Sequence, residues 1–210
     1  MWMTIAYRWR IGHDADDVGQ EERAVWHPIQ GASVYGALIL TGIAGVGKST
    51  VADAVGRILS TAGCTIAVVD TDMLAQFGPA PRGWPVGGFH DELKCVNLAA
   101  VWANFRAAGA RVIVVAATID SVALRARYAA SLADCEMQVV RLTAGADTVR
   151  QRLYQRDTGD KLERHLRALD AGELTPDAAL VADFTVPNDC PAAVVAQDVL
   201  DRLGWSGIAG

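Results

Sequence analysis

The chain has 210 residues, 51% of them apolar and 20% charged, with a formal net charge of −5. That composition suits one compact domain with a sizeable core. It weighs against nucleic acid or an anionic membrane as the main partner, since no run of lysines offsets the acidic balance.

Residues 1–33 carry Arg8, Arg10, three tryptophans and an acidic patch at Asp14, Asp16, Asp17, Glu21 and Glu22. They lack the continuous apolar segment of a secretory signal, and are expected to form an N-terminal extension to a domain over 34–210. Cys64, Cys95, Cys135 and Cys190 are scattered with no C-x-x-C pair, so reduced thiols in a cytoplasmic protein are expected. Apolar stretches such as Val112–Ala117 are too short to span a bilayer.

From residue 35 the pattern alternates. Five apolar segments have the length of buried strands: Tyr35–Leu40, Thr65–Asp70, Arg111–Ala116, Met137–Leu142 and Asp183–Val186. Their centres are continuously apolar, as in strands covered on both faces. Helical stretches lie between and after them: Lys48–Ala62, Asp91–Ala108, Ser121–Leu132, Asp147–Asp157, Lys161–Ala171 and Ala192–Leu203. This order predicts an α/β fold with a doubly wound, mostly parallel five-stranded sheet, helices on both faces, and ligands at the carboxyl ends of the strands.

Between the first strand and its helix, Gly42-Ile-Ala-Gly-Val-Gly-Lys48-Ser49 matches G-x-x-x-x-G-K-[ST] at every fixed position. Glycines let the backbone close around phosphate so that successive N–H groups point at its oxygens. The helix N-terminus adds a positive dipole. Gly42, Ala44, Gly45, Val46, Gly47, Lys48, Ser49 and Thr50 are the expected ATP-binding residues of a P-loop NTPase fold. Lys48 is expected to reach the β- and γ-phosphates and Ser49 to ligate Mg²⁺. No N-K-x-D segment for guanine is present, and Val112–Ala116 is followed by one acid, Asp120, rather than a pair. Both features favour phosphoryl transfer over a switch or motor.

The second strand ends in Asp70-Thr71-Asp72. On an extended backbone, positions i and i+2 face the same way. Asp70 is then placed to support Mg²⁺ and Asp72 to take a proton from an attacking hydroxyl. A plainer reading has Thr71 or Asp72 capping the turn at Met73–Phe77.

The cradle together with Asp70-Thr-Asp72 resembles the small-molecule kinases grouped with shikimate kinase and adenylylsulfate kinase. The resemblance implies a metal-associated acid at Asp70 and a substrate-side acid at Asp72. A second likeness spans 36–205, carried by Asn97-Leu-Ala-Ala-Val-Trp-Ala-Asn104, Arg152-Leu, Arg156, Gly159 and Leu203-Gly-Trp205. It is to uncharacterised ATP-binding proteins described as adenylylsulfate-kinase-like. The chain departs from true adenylylsulfate kinases after Asp72, where Met73-Leu-Ala-Gln replaces Asn-x-x-Arg, and no arginine-bearing helix of the shikimate kinase kind follows Phe77.

Arg150, Arg152, Arg156, Lys161, Arg164 and Arg167 fall within eighteen residues. They read either as a solvated face paired with neighbouring acids or as the short helical lid, about 150–170, that the resemblance implies. In the second reading Arg156 closes on the transferring phosphoryl group, Arg152 packs on adenine, and Gly159 is the hinge. The resemblance also implies that Asn188 and Asp189, after the last strand, touch adenine.

The Pro/Gly-rich stretch Gly78–Gly88 reads as a surface loop or as a substrate-binding segment. In the second reading Arg82, Trp84, Phe89 and Asn97 are substrate contacts, with His90 beside them. The expected activity is transfer of phosphate from MgATP to an unidentified small-molecule hydroxyl or phosphate acceptor, by a monomer or homodimer. Lys48, Asp72 and Arg156 are the expected catalytic residues. The competing class is a nucleotide-binding regulator or slow ATPase without an acceptor.

Overall fold

The structure, a computed structural model, describes residues 35–83, 88–171 and 178–205. The expected extension at 1–33 and the candidate contact Trp84 lie outside the described residues. In chain order the elements are β1 (Tyr35–Thr41), α1 (Lys48–Thr61), β2 (Ile66–Asp70), α2 (Thr71–Leu74), α3 (Gly88–Ala107), β3 (Val112–Ala116) and α4 (Val122–Ser131). There follow β4 (Cys135–Thr143), α5 (Ala146–Arg156), α6 (Gly159–Asp170), α7 (Ala178–Val181), β5 (Phe184–Pro187) and α8 (Ala192–Arg202). The five strands form one parallel sheet in the order β2-β3-β1-β4-β5.

Alternate side chains of each strand face opposite layers. Leu38, Leu40, Val114 and Val140 pack against α1 and α8 through Val51, Val55, Leu59, Val195 and Val199. Ala37, Ile39, Ile113 and Val139 pack against α3 and α4 through Leu98, Trp102, Leu124 and Tyr128. The result is three layers, helices on both faces of the sheet, as the unbroken apolar strands predict. The indole of Trp205 closes over Gly36, where a Cβ would stand 3.1 Å from the ring. All four cysteines are unpaired, and no helix among the described residues is long and apolar enough to cross a membrane.

Four details differ from the sequence reading. Asp72 is not on an extended strand: β2 stops at Asp70, and Asp72 sits in the one-turn helix α2. The cap is Asp70, not Thr71 or Asp72, because its side chain accepts the Asp72 N–H at 3.0 Å. The last strand starts at Phe184 rather than Asp183, whose carboxylate accepts the Val139 N–H at 2.7 Å and an Arg125 N–H at the same distance. The short helix α7 has no counterpart in the predicted elements.

Helix α1 lies close to β2 at Gly56, where a Cβ would come within 2.6 Å of Val68 Cγ2. Gly56→Ala gains about 1 kcal/mol of helix propensity but overpacks against a β-branched neighbour, at roughly 1–3 kcal/mol. The expected outcome is a lower urea midpoint for Gly56→Ala, recovered when Val68→Ala is added. A single variant more stable than the parent would show that the two elements separate without cost.

Candidate functional site

The carboxyl edge of the sheet gathers the charged residues. After β1, the chain passes through three glycines with positive φ: Gly42 (142°), Gly45 (80°) and Gly47 (99°). A Cβ at Gly42 would meet the Leu142 carbonyl at 2.6 Å, and one at Gly47 would collide with the Asn188 amide. Glycine is required at both positions by space as well as by dihedral angle. The loop is braced from behind at Val46, whose carbonyl accepts from Asn188 Nδ2 at 2.6 Å and Arg152 Nη1 at 3.1 Å. Arg152 Nη2 also donates to the Asn188 carbonyl at 3.0 Å.

Lys48 opens α1 and folds back over the loop. Its ammonium donates to the carbonyls of Gly42 (2.9 Å) and Ile43 (3.1 Å). Burial lowers its pKa to about 8, partly offset by the nearby carboxylates of Asp72 and Asp70. Ser49 Oγ donates to Asp70 Oδ2 at 2.6 Å. These hard oxygens suit Mg²⁺, which binds few protein ligands and completes its shell with water and phosphate. Among the described residues no group of three or more His, Cys, Asp or Glu offers a self-sufficient metal site. The donor set fits an ion that arrives with phosphate.

Between the two acids, Thr71 is fully buried and points the other way. Its hydroxyl donates to the Ala116 carbonyl at 3.1 Å and accepts from Tyr128 OH at 3.2 Å. This link anchors the acidic turn to β3 and α4. Asp72 pairs with Lys94 of α3 at 2.7 Å. Burial alone would raise the Asp72 carboxyl; the Lys94 hydrogen bond and charge, with Lys48 behind it, outweigh this and hold it below its usual value. Lys94 is absent from the sequence-derived candidates, because nothing local marks a lysine 22 positions downstream as the partner of Asp72.

The hairpin α5–α6 lies over this edge and turns at Gly159, which takes φ 56°. Its organising group is Asp157, whose side chain is 1% exposed. It accepts from Arg156 Nε (3.0 Å) and Nη2 (2.8 Å) and meets His165 Nδ1 at 2.7 Å and Lys161 at 3.2 Å. The Arg156 hydrogen bonds, with those of His165 and Lys161, overcome burial and hold this carboxyl far below the usual range. Arg156 also lines a cavity beside Gly45 and Gly47, and its charge adds to the lowering of the Lys48 pKa. Arg150 pairs outward with Asp170 at 2.6 Å, and Arg167 reaches the Glu163 carbonyl along the helix.

The remaining predicted contacts fall into two groups. Asn97 donates to the Leu74 carbonyl at 2.6 Å and Phe89 packs edge-on against Phe77, so both tie α3 to the segment after β2. His90 does the same through the Phe77 carbonyl at 3.0 Å. Arg82 is exposed in the intervening loop. Asp189 accepts the Gly145 N–H at 3.2 Å.

Two cavities flank the glycine loop. One, of about 540 Å³, is lined by Gly45, Gly47, Thr50, Arg152, Asn188 and Pro191. The other, of about 210 Å³, lies beneath α6 and is lined by Gly42–Ala44, Thr118–Asp120, Arg141 and His165.

No protein-family model and no curated protein match the chain. Solved structures do. An unliganded sugar kinase from Janibacter is 17% identical, with 84% of this chain and 99% of that one covered at a TM-score of 0.56. APS kinase from Mycobacterium tuberculosis, solved with AMPPNP and APS, is 22% identical over 82% and 99%, TM-score 0.53. Shikimate kinase from Acinetobacter baumannii, solved with shikimate, is 21% identical over 81% and 94%, TM-score 0.51. The fold is that of the P-loop small-molecule kinases.

Two measurements probe this geometry. Lys48 must be protonated to attract phosphate, so affinity for ATP measured by calorimetry is expected to fall as pH rises through about 8, and Lys48→Met to flatten that dependence. The depressed Asp157 carboxyl contributes stability that is complete above its unfolded pKa of about 4 and is lost on acidification. Asp157→Asn is therefore expected to lose about 1.5–3 kcal/mol of unfolding free energy at neutral pH. The difference should narrow below about pH 4; a constant difference across pH would indicate that charge is not the source.

Proposed function

We propose that the protein is an ATP-dependent phosphotransferase acting on a small-molecule hydroxyl or phosphate acceptor. The observation that carries this reading is the glycine loop with a cavity on either side. A phosphate cradle with one cavity serves a binder; a second cavity at its phosphate end has the layout of donor and acceptor. Lys48 lies at the junction: its ammonium touches carbonyls of the acceptor-side cavity, and its charge is coupled to Asp72.

In this reading the larger cavity takes the nucleoside. The Arg152 guanidinium and the Pro191 ring supply flat surfaces for adenine, and Asn188 holds the loop that bears the phosphates. Lys48 leaves the Gly42 and Ile43 carbonyls for the β- and γ-oxygens. Ser49 and Asp70 would hold the Mg²⁺ that accompanies ATP, which would supply charge neutralisation at the phosphates. The acceptor oxygen attacks the γ-phosphorus while the bond to the β–γ bridging oxygen breaks and ADP leaves. For a hydroxyl acceptor, the proton passes to Asp72.

A carboxylate held below its usual pKa is a weak base. Phosphoryl transfer goes through a loose transition state in which the nucleophile keeps its proton until late. Asp72 therefore works chiefly by accepting the hydroxyl's hydrogen bond and aligning its lone pair, with Lys94 fixing the carboxylate rotamer. Arg156 faces the phosphate end of the cradle and can stabilise the transferring group bidentately.

Asp72→Asn is expected to lower acceptor-dependent ADP release about 10²–10⁴-fold with ATP affinity nearly unchanged. Lys94→Met, by removing the cation that depresses Asp72, should shift the acid limb of the kcat/KM profile to higher pH. Steady ADP release that ignores every acceptor, and is indifferent to Asp72→Asn, would instead identify a slow ATPase.

A further inference from the structure

The inner face of α6 is an apolar seam with one polar residue in it. Leu162, His165, Leu166 and Leu169 follow the i, i+3, i+4, i+7 spacing and are half-buried, whereas Lys161, Glu163, Arg164 and Arg167 are exposed. His165, Ala168 and Leu169 roof the cavity beneath this helix, whose wall also carries Gly42–Ala44, Thr118–Asp120 and Arg141. A histidine in such a seam is commonly a packed residue with both ring nitrogens satisfied. Here one nitrogen is and the other is not.

His165 Nδ1 meets Asp157 Oδ2 at 2.7 Å. The bonds from Arg156 and Lys161 help keep that carboxylate ionised, so it can only accept. Nδ1 is therefore the nitrogen that carries the proton, and in the neutral ring Nε2 is a bare lone pair. Nε2 has no hydrogen bond with any described residue, nor is it among the buried unpartnered atoms. Asp157 stands behind the ring and off the cavity wall. Its side chain is 1% exposed against 22% for His165. The reachable part of the imidazole is the part that lines the cavity.

The hairpin does not need this histidine to satisfy Asp157. Each carboxylate oxygen already accepts from Arg156, and Lys161 adds a further contact. What the Asp157 bond does for His165 is fix the tautomer and the orientation of the ring. Among the other polar side chains on the wall, Arg141 can only donate. Thr41 Oγ1 already accepts the Ile119 N–H at 2.9 Å.

Resting on the phosphotransferase reading, we propose that His165 binds the acceptor directly. Its Nε2 takes a hydrogen bond from a hydroxyl or N–H of the molecule in the cavity beneath α6, while Asp157 holds the ring from behind. The contact belongs to the hairpin rather than the sheet, so acceptor and α6 hold each other in place.

Two substitutions separate a ligand contact from a packing role. In His165→Asn the amide nitrogen stands about where Nδ1 stood, which keeps the Asp157 bond and removes the atom facing the cavity. His165→Gln does the reverse. Each full-length variant is assayed for ADP release from MgATP with glucose, gluconate, shikimate, adenylylsulfate, chloramphenicol and kanamycin, a set spanning neutral, anionic and cationic hydroxyl compounds. For a compound that drives release, His165→Asn is expected to raise its KM about three- to tenfold, the worth of one hydrogen bond, with a thermal midpoint near the parent's. His165→Gln is expected to lower the midpoint and to disturb the KM less. The tautomer is read by NMR of nitrogen-15-labelled histidine at about pH 8, above the ordinary imidazole pKa of about 6.5. The ring missing from the spectra of both variants should carry its proton on Nδ1.

A proton on Nε2 would overturn the proposal, as would a KM that falls into step with the midpoint across the two variants. Turnover indifferent to His165→Asn would sink the acceptor contact and leave the phosphotransferase standing. An Nδ1–H ring with no compound driving ADP release would keep the Asp157–His165 pair and sink both the contact and the reading it rests on.

Discussion

The site depends on the carbonyl of Val46. Val46 is fully buried within the glycine loop, and two long-range donors, Asn188 and Arg152, converge on its carbonyl. A loop with three positive-φ glycines has many accessible conformations when free. Tying it at Val46 to α5 and to the segment after β5 removes most of them. The sheet order makes this possible, because β1 lies between β3 and β4 and the β5 end comes within reach of the loop. The phosphate cradle is thus held by residues more than a hundred positions away.

The same economy runs through the rest of the edge. The charged and polar groups of this edge are paired with neighbours: Lys48 with carbonyls, Ser49 with Asp70, Asp72 with Lys94, Arg156 with Asp157. Internal pairing of this kind keeps polar groups satisfied at a partly desolvated edge. It also keeps side chains near their working positions, so ligand binding exchanges partners rather than ordering loose chains. Thr71 and Tyr128 perform the buried half of this task, holding the turn that carries both acids.

Much of this was legible in the sequence, for reasons of range. The strands announce themselves by continuous apolar runs, and the cradle by glycines whose spacing is dictated by contact with phosphate. Both signals are local. Asp70 and Asp72 were also visible, but Asp70's capping of its own successor was not, because the backbone leaves the extended conformation just where the i, i+2 rule was applied. Lys94, Tyr128 and Arg141 carried no signal, and Thr71 stood out only as a candidate cap. Their significance comes from what the fold places opposite them, which a lone lysine, a buried hydroxyl or a strand arginine does not reveal. Asp157 looked like one more acid beside a charge run, whereas its burial makes it the hub of the hairpin. Asn97 and Phe89 stood out as substrate contacts by neighbourhood, and in the structure they also tie α3 to the segment after β2, at the Leu74 carbonyl and the Phe77 ring.

Asp157 gives the hairpin a thermodynamic property of its own. Any anion that draws Arg156 toward the glycine loop competes with a carboxylate one residue away in the chain, whose effective concentration is high and independent of dilution. The two equilibria are then reciprocal. Whatever tightens the grip of Asp157 on Arg156 weakens the pull of a bound phosphate on it, and a phosphate strong enough to win leaves the buried carboxylate to its α6 partners, His165 and Lys161.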